Sequence, residues 1–251
     1  MKKFINFVIN FIDKIIPKRS WVPMASIVIF NFIVYYGSSL IVRNIDQSGL
    51  NNFSIFIDDA IPFEPFFISF YILAYAQWFI GYIILARGEE AHFYKVATSE
   101  MIAKALCLAC FLIIPCMMIR PTLVVDDFWS FATNVIYSSD KPYNLFPSIH
   151  CLESWVVFRC CLRMNISKWY KIAMGIFTLL VCASVVFVKQ HVFLDIPAGI
   201  LVFEIGALVT KLTKLDVIFH NKVTAFKNRK KKNELVTEPS EEKEFNFERQ
   251  R

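Results

Sequence analysis

Six apolar runs constrain this chain more than any other feature: Trp21 to Val42, Pro65 to Ala86, Met101 to Ile119, Ile149 to Met164, Tyr170 to Val188 and His191 to Leu212. About 20 residues of helix cross the ~30 Å hydrocarbon core of a bilayer, and all the runs but the short fourth have roughly that length. They are continuously apolar, without the in-out alternation of a transmembrane barrel. The expected fold is therefore all-α: a polytopic membrane protein with six transmembrane helices. Composition agrees, since 56% of the 251 residues are hydrophobic, 26 are phenylalanine, and mean hydropathy is +0.49. A soluble globular domain is far less apolar.

Residues 1–20 read as a cytoplasmic amphipathic segment. Met1 to Pro17 interleave apolar and basic groups, and no small-residue cleavage site precedes Trp21, so an interfacial helix is expected in place of a cleaved signal. Residues 21–215 form the six-helix domain, and residues 216–251 a charged, disordered cytoplasmic tail. Positive segments stay on the cytoplasmic side. Lys2, Lys3, Lys14, Lys18 and Arg19, the Lys168/Lys171 loop, and Lys227 to Lys232 all fall on one side of an even number of crossings. The loops with Asp58, Asp59, Asp126, Asp127 and Asp140 then face outward. A composition rich in Phe, Ile, Asn and Lys fits an AT-rich bacterial genome, which makes the cell membrane the expected location.

A net charge of +6 does not point to nucleic acid, because the cations are spread along membrane flanks, where anionic lipid is the natural partner. Seven cysteines lie mostly inside apolar runs. The Cys107/Cys110 spacing lacks a second ligand pair, so these thiols read as packing groups, not as metal ligands. Neither an internal repeat nor a glycine-rich phosphate loop is present, and no cofactor or metal is expected.

Two polar islands interrupt the apolar sequence: Phe146-Pro147-Ser148-Ile149-His150 and Lys189-Gln190-His191-Val192-Phe193-Leu194-Asp195. On a helix starting near Gln190, a spacing of four puts His191 and Asp195 on one face. An imidazole whose Nδ1 proton is held by a carboxylate offers Nε2 as a nucleophile. Pro147 and Ser148 mark a helix start, which places His150 in the opening turn of the fourth helix, where backbone N–H groups favour an anion. A second imidazole there suits protonation of an alkoxide leaving group. Arg120, before Pro121, and Lys189 supply cations for phosphate. Three ionisable groups at one membrane depth are costly without a use.

These residues resemble the phosphatidic acid phosphatase type 2 superfamily, whose hallmarks are Lys-x6-Arg-Pro, Pro-Ser-Gly-His and Ser-Arg-x5-His-x3-Asp. Arg120-Pro121, Pro147-Ser148-x-His150 and Ser184 with His191 and Asp195 carry the likeness. Ile113, Ile149 and Val185 stand where that pattern has lysine, glycine and arginine. Lys189-Gln190-His191 and Asp59-Ala60-Ile61-Pro62-Phe63-Glu64-Pro65 are similar to the branch of inositol phosphorylceramide and sphingomyelin synthase relatives. The resemblance implies a metal-independent lipid phosphatase acting on a lipid phosphate or pyrophosphate at the extracytoplasmic face. His191 would form a phosphohistidine, Asp195 would orient it, and His150 would serve as the acid. Arg120, Ser148 and Lys189 would bind phosphate. Transfer of a phospho-head group between lipids is the alternative, and an inactive lipid-binding or transport protein the third possibility.

Charges outside these motifs carry separate expectations. Arg159 and Glu204 are placed to pair between helices, Lys104 to snorkel to the cytoplasmic surface, and Glu153 one turn below His150.

Overall fold

Where the apolar runs meet proline or a polar capping residue, helices begin and end. The computed structural model describes residues 2–45 and 50–237. The first helix, α1 (Lys2–Ile15), exposes Phe4, Phe7 and Phe11 along one stripe, as an interfacial helix does. A 3₁₀ turn at Lys18–Ser20 leads into α2 (Trp21–Phe32), a π turn (Ile33–Gly37) and α3 (Ser38–Val42), which together make the first span. A short α4 (Phe56–Ala60) precedes α5 (Ile68–Arg87), and α6 (Glu90–Ile113) follows after two residues.

An extended segment runs from α6 to α7 (Phe128–Ser139), whose first turn is capped by Asp127 accepting from Ser130 N at 2.6 Å. Then come α8 (Ile149–Cys161), α9 (Lys168–Phe187), α10 (Asp195–Thr213) and α11 (Leu215–Thr237). The described residues contain no strand, only two isolated bridges. Among the described residues, five spans are long and apolar enough to cross a membrane: Lys18–Val42, Pro65–Arg87, Glu90–Ile113, Lys168–Phe187 and Asp195–Thr213. The sixth helix of the bundle, α8, has 13 residues, or about 20 Å at 1.5 Å per residue.

Three elements differ from the sequence reading. The third span is expected from Met101 to Ile119, whereas α6 starts at Glu90 and stops at Ile113. Glu90, Lys95 and Glu100 hide its start from an apolar-run criterion, and Pro115 disfavours helical geometry at Ile114, ending it. The last span begins at Asp195 and not at His191. The tail expected to be disordered from residue 216 is helical through Thr237, because α11 docks on α6. There His220 Nε2 lies 3.1 Å from Glu90 Oε1, and Tyr94 packs on Phe219 and His220. Residues 238–251 of that tail lie outside the described residues.

Alternating helix directions give the bundle two ends. At one end Arg19 donates to the carbonyls of Arg87 and Gly88, and His92 Nε2 meets Cys160 O at 3.1 Å. At the other, Asn144 donates to Ser38 and Ser39, Glu64 N to Phe187 O, and Ser148 N to Asp195 O at 3.1 Å. The starts of α8 and α10 meet there because Gly199 has no side chain. A Cβ on it would sit 2.4 Å from Ser148 O. Gly206 plays the same part against Ser99 O of α6.

A buried ionic cluster crosses the middle of the bundle. Lys104, only 1% exposed, does not snorkel to a surface. It pairs with Glu153 of α8, donates to Asn31 of α2, and has Glu100 at 3.9 Å. Tyr82 of α5 donates to the same Glu153. The physical reason is local: a lysine in lipid-facing helix must reach water, but two carboxylates meet Lys104 inside the protein. Arg159 and Glu204 do pair across α8 and α10, at 3.2 Å.

Candidate active site

Residues Val188 to Leu194 reverse the chain between α9 and α10. Lys189 adopts a left-handed φ of 50°, and Val185 O, freed at the end of α9, accepts from both Gln190 N (2.9 Å) and His191 N (3.0 Å). His191 therefore sits in a turn and not on the helix face that its spacing suggests. Asp195, the first residue of α10, still reaches it: Nδ1 of His191 lies 2.9 Å from Asp195 Oδ2, which also accepts from Val192 N at 3.2 Å. Asp195 is fully buried.

Ser148 caps α8, its hydroxyl accepting from Cys151 N at 3.4 Å, and His150 occupies the first turn. The bond from Ser148 N to Asp195 O sets the two polar islands side by side, leaving the rings of His150 and His191 with centroids 6.2 Å apart. Both line a cavity of about 370 Å³. Nδ1 of His191 is held by Asp195, which leaves Nε2 as the ring nitrogen available for chemistry, while Nε2 of His150 is buried without a protein partner.

Arg120 stands behind this pair instead of in the cavity. Its guanidinium lies 4.4 Å over the Tyr137 ring and donates to Asp140 O (2.7 Å), Tyr137 O (3.3 Å) and the side chain of Gln190, next to His191. Burial draws the Arg120 pKa below its ordinary value, opposed by Asp140 close by. Burial likewise pushes the Tyr137 phenol up to about 12, which keeps it a donor to Val188 O at 2.7 Å.

Lys189 turns to α4, donating to Asp58 O (2.9 Å) and Ile61 O (2.6 Å), and Asp58 Oδ1 accepts from Phe193 N at 2.7 Å. The structure thus brings His150, His191, Asp195 and Ser148 together, and sets Arg120 and Lys189 in braces around the His191 turn.

The cavity wall contains groups that the motifs leave unmarked. Tyr71 stacks on His150 at 4.1 Å, with Tyr75 and Trp78 at 5.8 and 5.1 Å. Their spacing of four and three on α5 was a readable signal of one helix face. Asp140 accepts from Tyr35 at 2.8 Å and from Tyr71 at 3.2 Å. Lys141 is the lysine that lines the cavity. The positions where the resemblance has cations supply none: Ile113 is 76% exposed at the end of α6, and Val185 is fully buried. Among the described residues, no three His, Cys, Asp or Glu side chains gather as metal ligands do.

The sequence profile of the PAP2 superfamily matches residues 52–209, from before α4 into α10, which is more than half of the chain. The chain belongs to the PAP2 superfamily. No curated protein and no solved structure matches it. As a PAP2 superfamily member with several membrane-crossing helices, it is a multi-pass membrane protein of the phosphatase type, with phosphatase or phosphotransferase activity in general. The matched segment contains both polar islands and Arg120.

Proposed function

We propose that the protein hydrolyses a phosphomonoester or diphosphate of a membrane lipid through a phosphohistidine at His191. One observation carries this reading: an imidazole held by a carboxylate shares a cavity with a second imidazole whose Nε2 has no partner. A phosphorus atom roughly 3 Å from His191, with its leaving oxygen within about 3 Å of His150, fits rings 6.2 Å apart.

In the first step Nε2 of His191 forms a bond to phosphorus as the bond to the lipid oxygen breaks, and His150 gives that oxygen its proton. Asp195 stabilises the imidazolium that develops. In the second step His150, now neutral, takes a proton from water as the water oxygen attacks phosphorus and the P–N bond breaks. Inorganic phosphate leaves. Ser148 and the first turn of α8 favour the phosphate charge, and Lys141 adds a cation at the cavity.

The basic N-terminal segment and α11 lie at the bundle end opposite the histidines, which supports an extracytoplasmic site with cytoplasmic termini. Reconstituted protein supplied with phosphatidic acid, a prenyl diphosphate or phosphatidylglycerol phosphate is expected to release inorganic phosphate from one of them. His191→Ala is expected to release none, and equal release by both proteins would refute His191 as the nucleophile.

The aromatic wall favours a second reading, head-group transfer. Tyr35, Tyr71, Tyr75 and Trp78 together with the Asp140 carboxylate make a lining that suits a cationic head group. A lipid hydroxyl would then replace water in the second step. Labelled head group appearing on an acceptor lipid, with little free phosphate, decides for transfer.

A further inference from the structure

A second polar recess lies at the opposite end of the bundle. It has a volume of about 140 Å³ and is formed by α6, α8 and α10. Helix rise separates it from the catalytic groups. Arg159 is nine residues beyond His150 on α8, roughly 14 Å, and Lys211 is sixteen beyond Asp195 on α10, roughly 24 Å. Four cationic side chains, Lys95, Arg159, Arg163 and Lys211, line it with His92 and a single carboxylate, Glu204.

That carboxylate is already engaged, by Arg159 at 3.2 Å and by the Trp155 indole at 2.8 Å. His92 is held by Cys160 O. Among the described residues, no hydrogen-bond or ion-pair partner meets the side-chain nitrogens of Lys95, Arg163 or Lys211. Three cations, from α6, α10 and the turn that follows α8, thus converge on one recess whose lining carboxylate is already paired with Arg159.

We propose that this recess binds the phosphate of an anionic phospholipid from the leaflet opposite the histidine cavity. The volume suits a phosphate group and is too small for a drug-sized ligand, which fills ~300 Å³ or more. Phosphate is the shared chemistry, and the surroundings favour a lipid as its source. Leu208 and Leu212 on α10, and Leu162 beside Arg163, are exposed large apolar side chains next to the cations. They offer acyl chains a path along the helices while the phosphate enters between them. Basic pockets between transmembrane helices are suited to such head groups.

The test uses full-length protein purified in an uncharged detergent, with bound lipid counted by native mass spectrometry. Short-chain phosphatidylglycerol is expected to bind, and phosphatidylcholine of the same chain length is not expected to occupy this site. Arg163→Gln/Lys211→Gln is expected to weaken phosphatidylglycerol binding on the order of tenfold or more. Ala207→Leu, which fills the recess and leaves every cation in place, is expected to do the same. Lys222→Gln/Lys227→Gln, on α11 outside the recess, is expected to leave binding unchanged.

Equal loss in the two charge-removal pairs would reduce the effect to diffuse surface charge and overturn the proposal, as would full binding by Ala207→Leu. If millimolar inorganic phosphate displaces the lipid, or binds with the same residue dependence, the site takes a soluble anion and the lipid assignment is wrong. None of these readouts depends on turnover, so failure here is distinguishable from failure of the proposed phosphatase chemistry.

Discussion

Asp195 serves His191 through one oxygen, which meets Nδ1 at 2.9 Å and accepts from Val192 N at 3.2 Å, so the ring and the turn that carries it are fixed together. Asp195→Asn keeps the shape but removes the charge that stabilises an imidazolium, and its amide no longer enforces one tautomer. It is expected to lower kcat on a lipid phosphate by roughly a hundredfold or more, with the protein still folded by circular dichroism. Wild-type turnover in this variant would remove Asp195 from the mechanism. At this scale the sequence was highly informative, because a spacing of four between His191 and Asp195 survives the change from helix to turn. What it concealed was direction. Nothing in the primary structure says that Lys189 faces the carbonyls of α4, or that Arg120 reaches Gln190 instead of the cavity. Those orientations depend on elements more than 60 residues away.

Close-packed glycines and an ionic cluster hold the elements in register here. Gly199 lets α10 approach the start of α8, and a larger side chain would meet Ser148 O and Cys151 Cβ. Gly199→Val is expected to push apart the two turns that carry His150 and His191. A displacement near 1 Å at reacting groups costs up to about a hundredfold in rate, so kcat is expected to fall much more than the melting temperature. A variant that loses both in proportion would mean simple unfolding. Lys104, Glu100 and Glu153 pose the complementary case. Lys104→Met leaves two buried carboxylates without their cation, and removing one partner of a buried pair costs about 3–5 kcal/mol. Thermal unfolding in detergent is expected to show that loss, and Lys104→Met/Glu100→Gln/Glu153→Gln to recover much of it. The cluster was hidden from sequence reasoning because a lone lysine in an apolar run gives no sign of partners on two other helices.

For the whole molecule, hydropathy was enough to read an all-α membrane bundle, since apolar length alone dictates helices that span a bilayer. It misplaced helix ends wherever charged residues continue a helix past its apolar part, as at Glu90 to Glu100 of α6, and it missed α11, whose helix is secured by contacts with α6. Orientation is the property on which the proposed chemistry most depends, because a lipid phosphatase acts on the leaflet its histidines face. Asn52, in the loop before α4, lies at the histidine end, and Asn165, between α8 and α9, lies at the other; both are exposed. If the basic segments stay cytoplasmic, Asn52→Cys is expected to react with a membrane-impermeant maleimide in intact cells, and Asn165→Cys only after permeabilisation. Six of the seven native thiols are buried and Cys110 is half-buried, so the unsubstituted protein sets the background. The reverse labelling pattern would put the histidine cavity on the cytoplasmic leaflet and confine its substrates to lipids made available there. Labelling of both sites from one side would be incompatible with the alternating helix directions that bring His150 and His191 to one end.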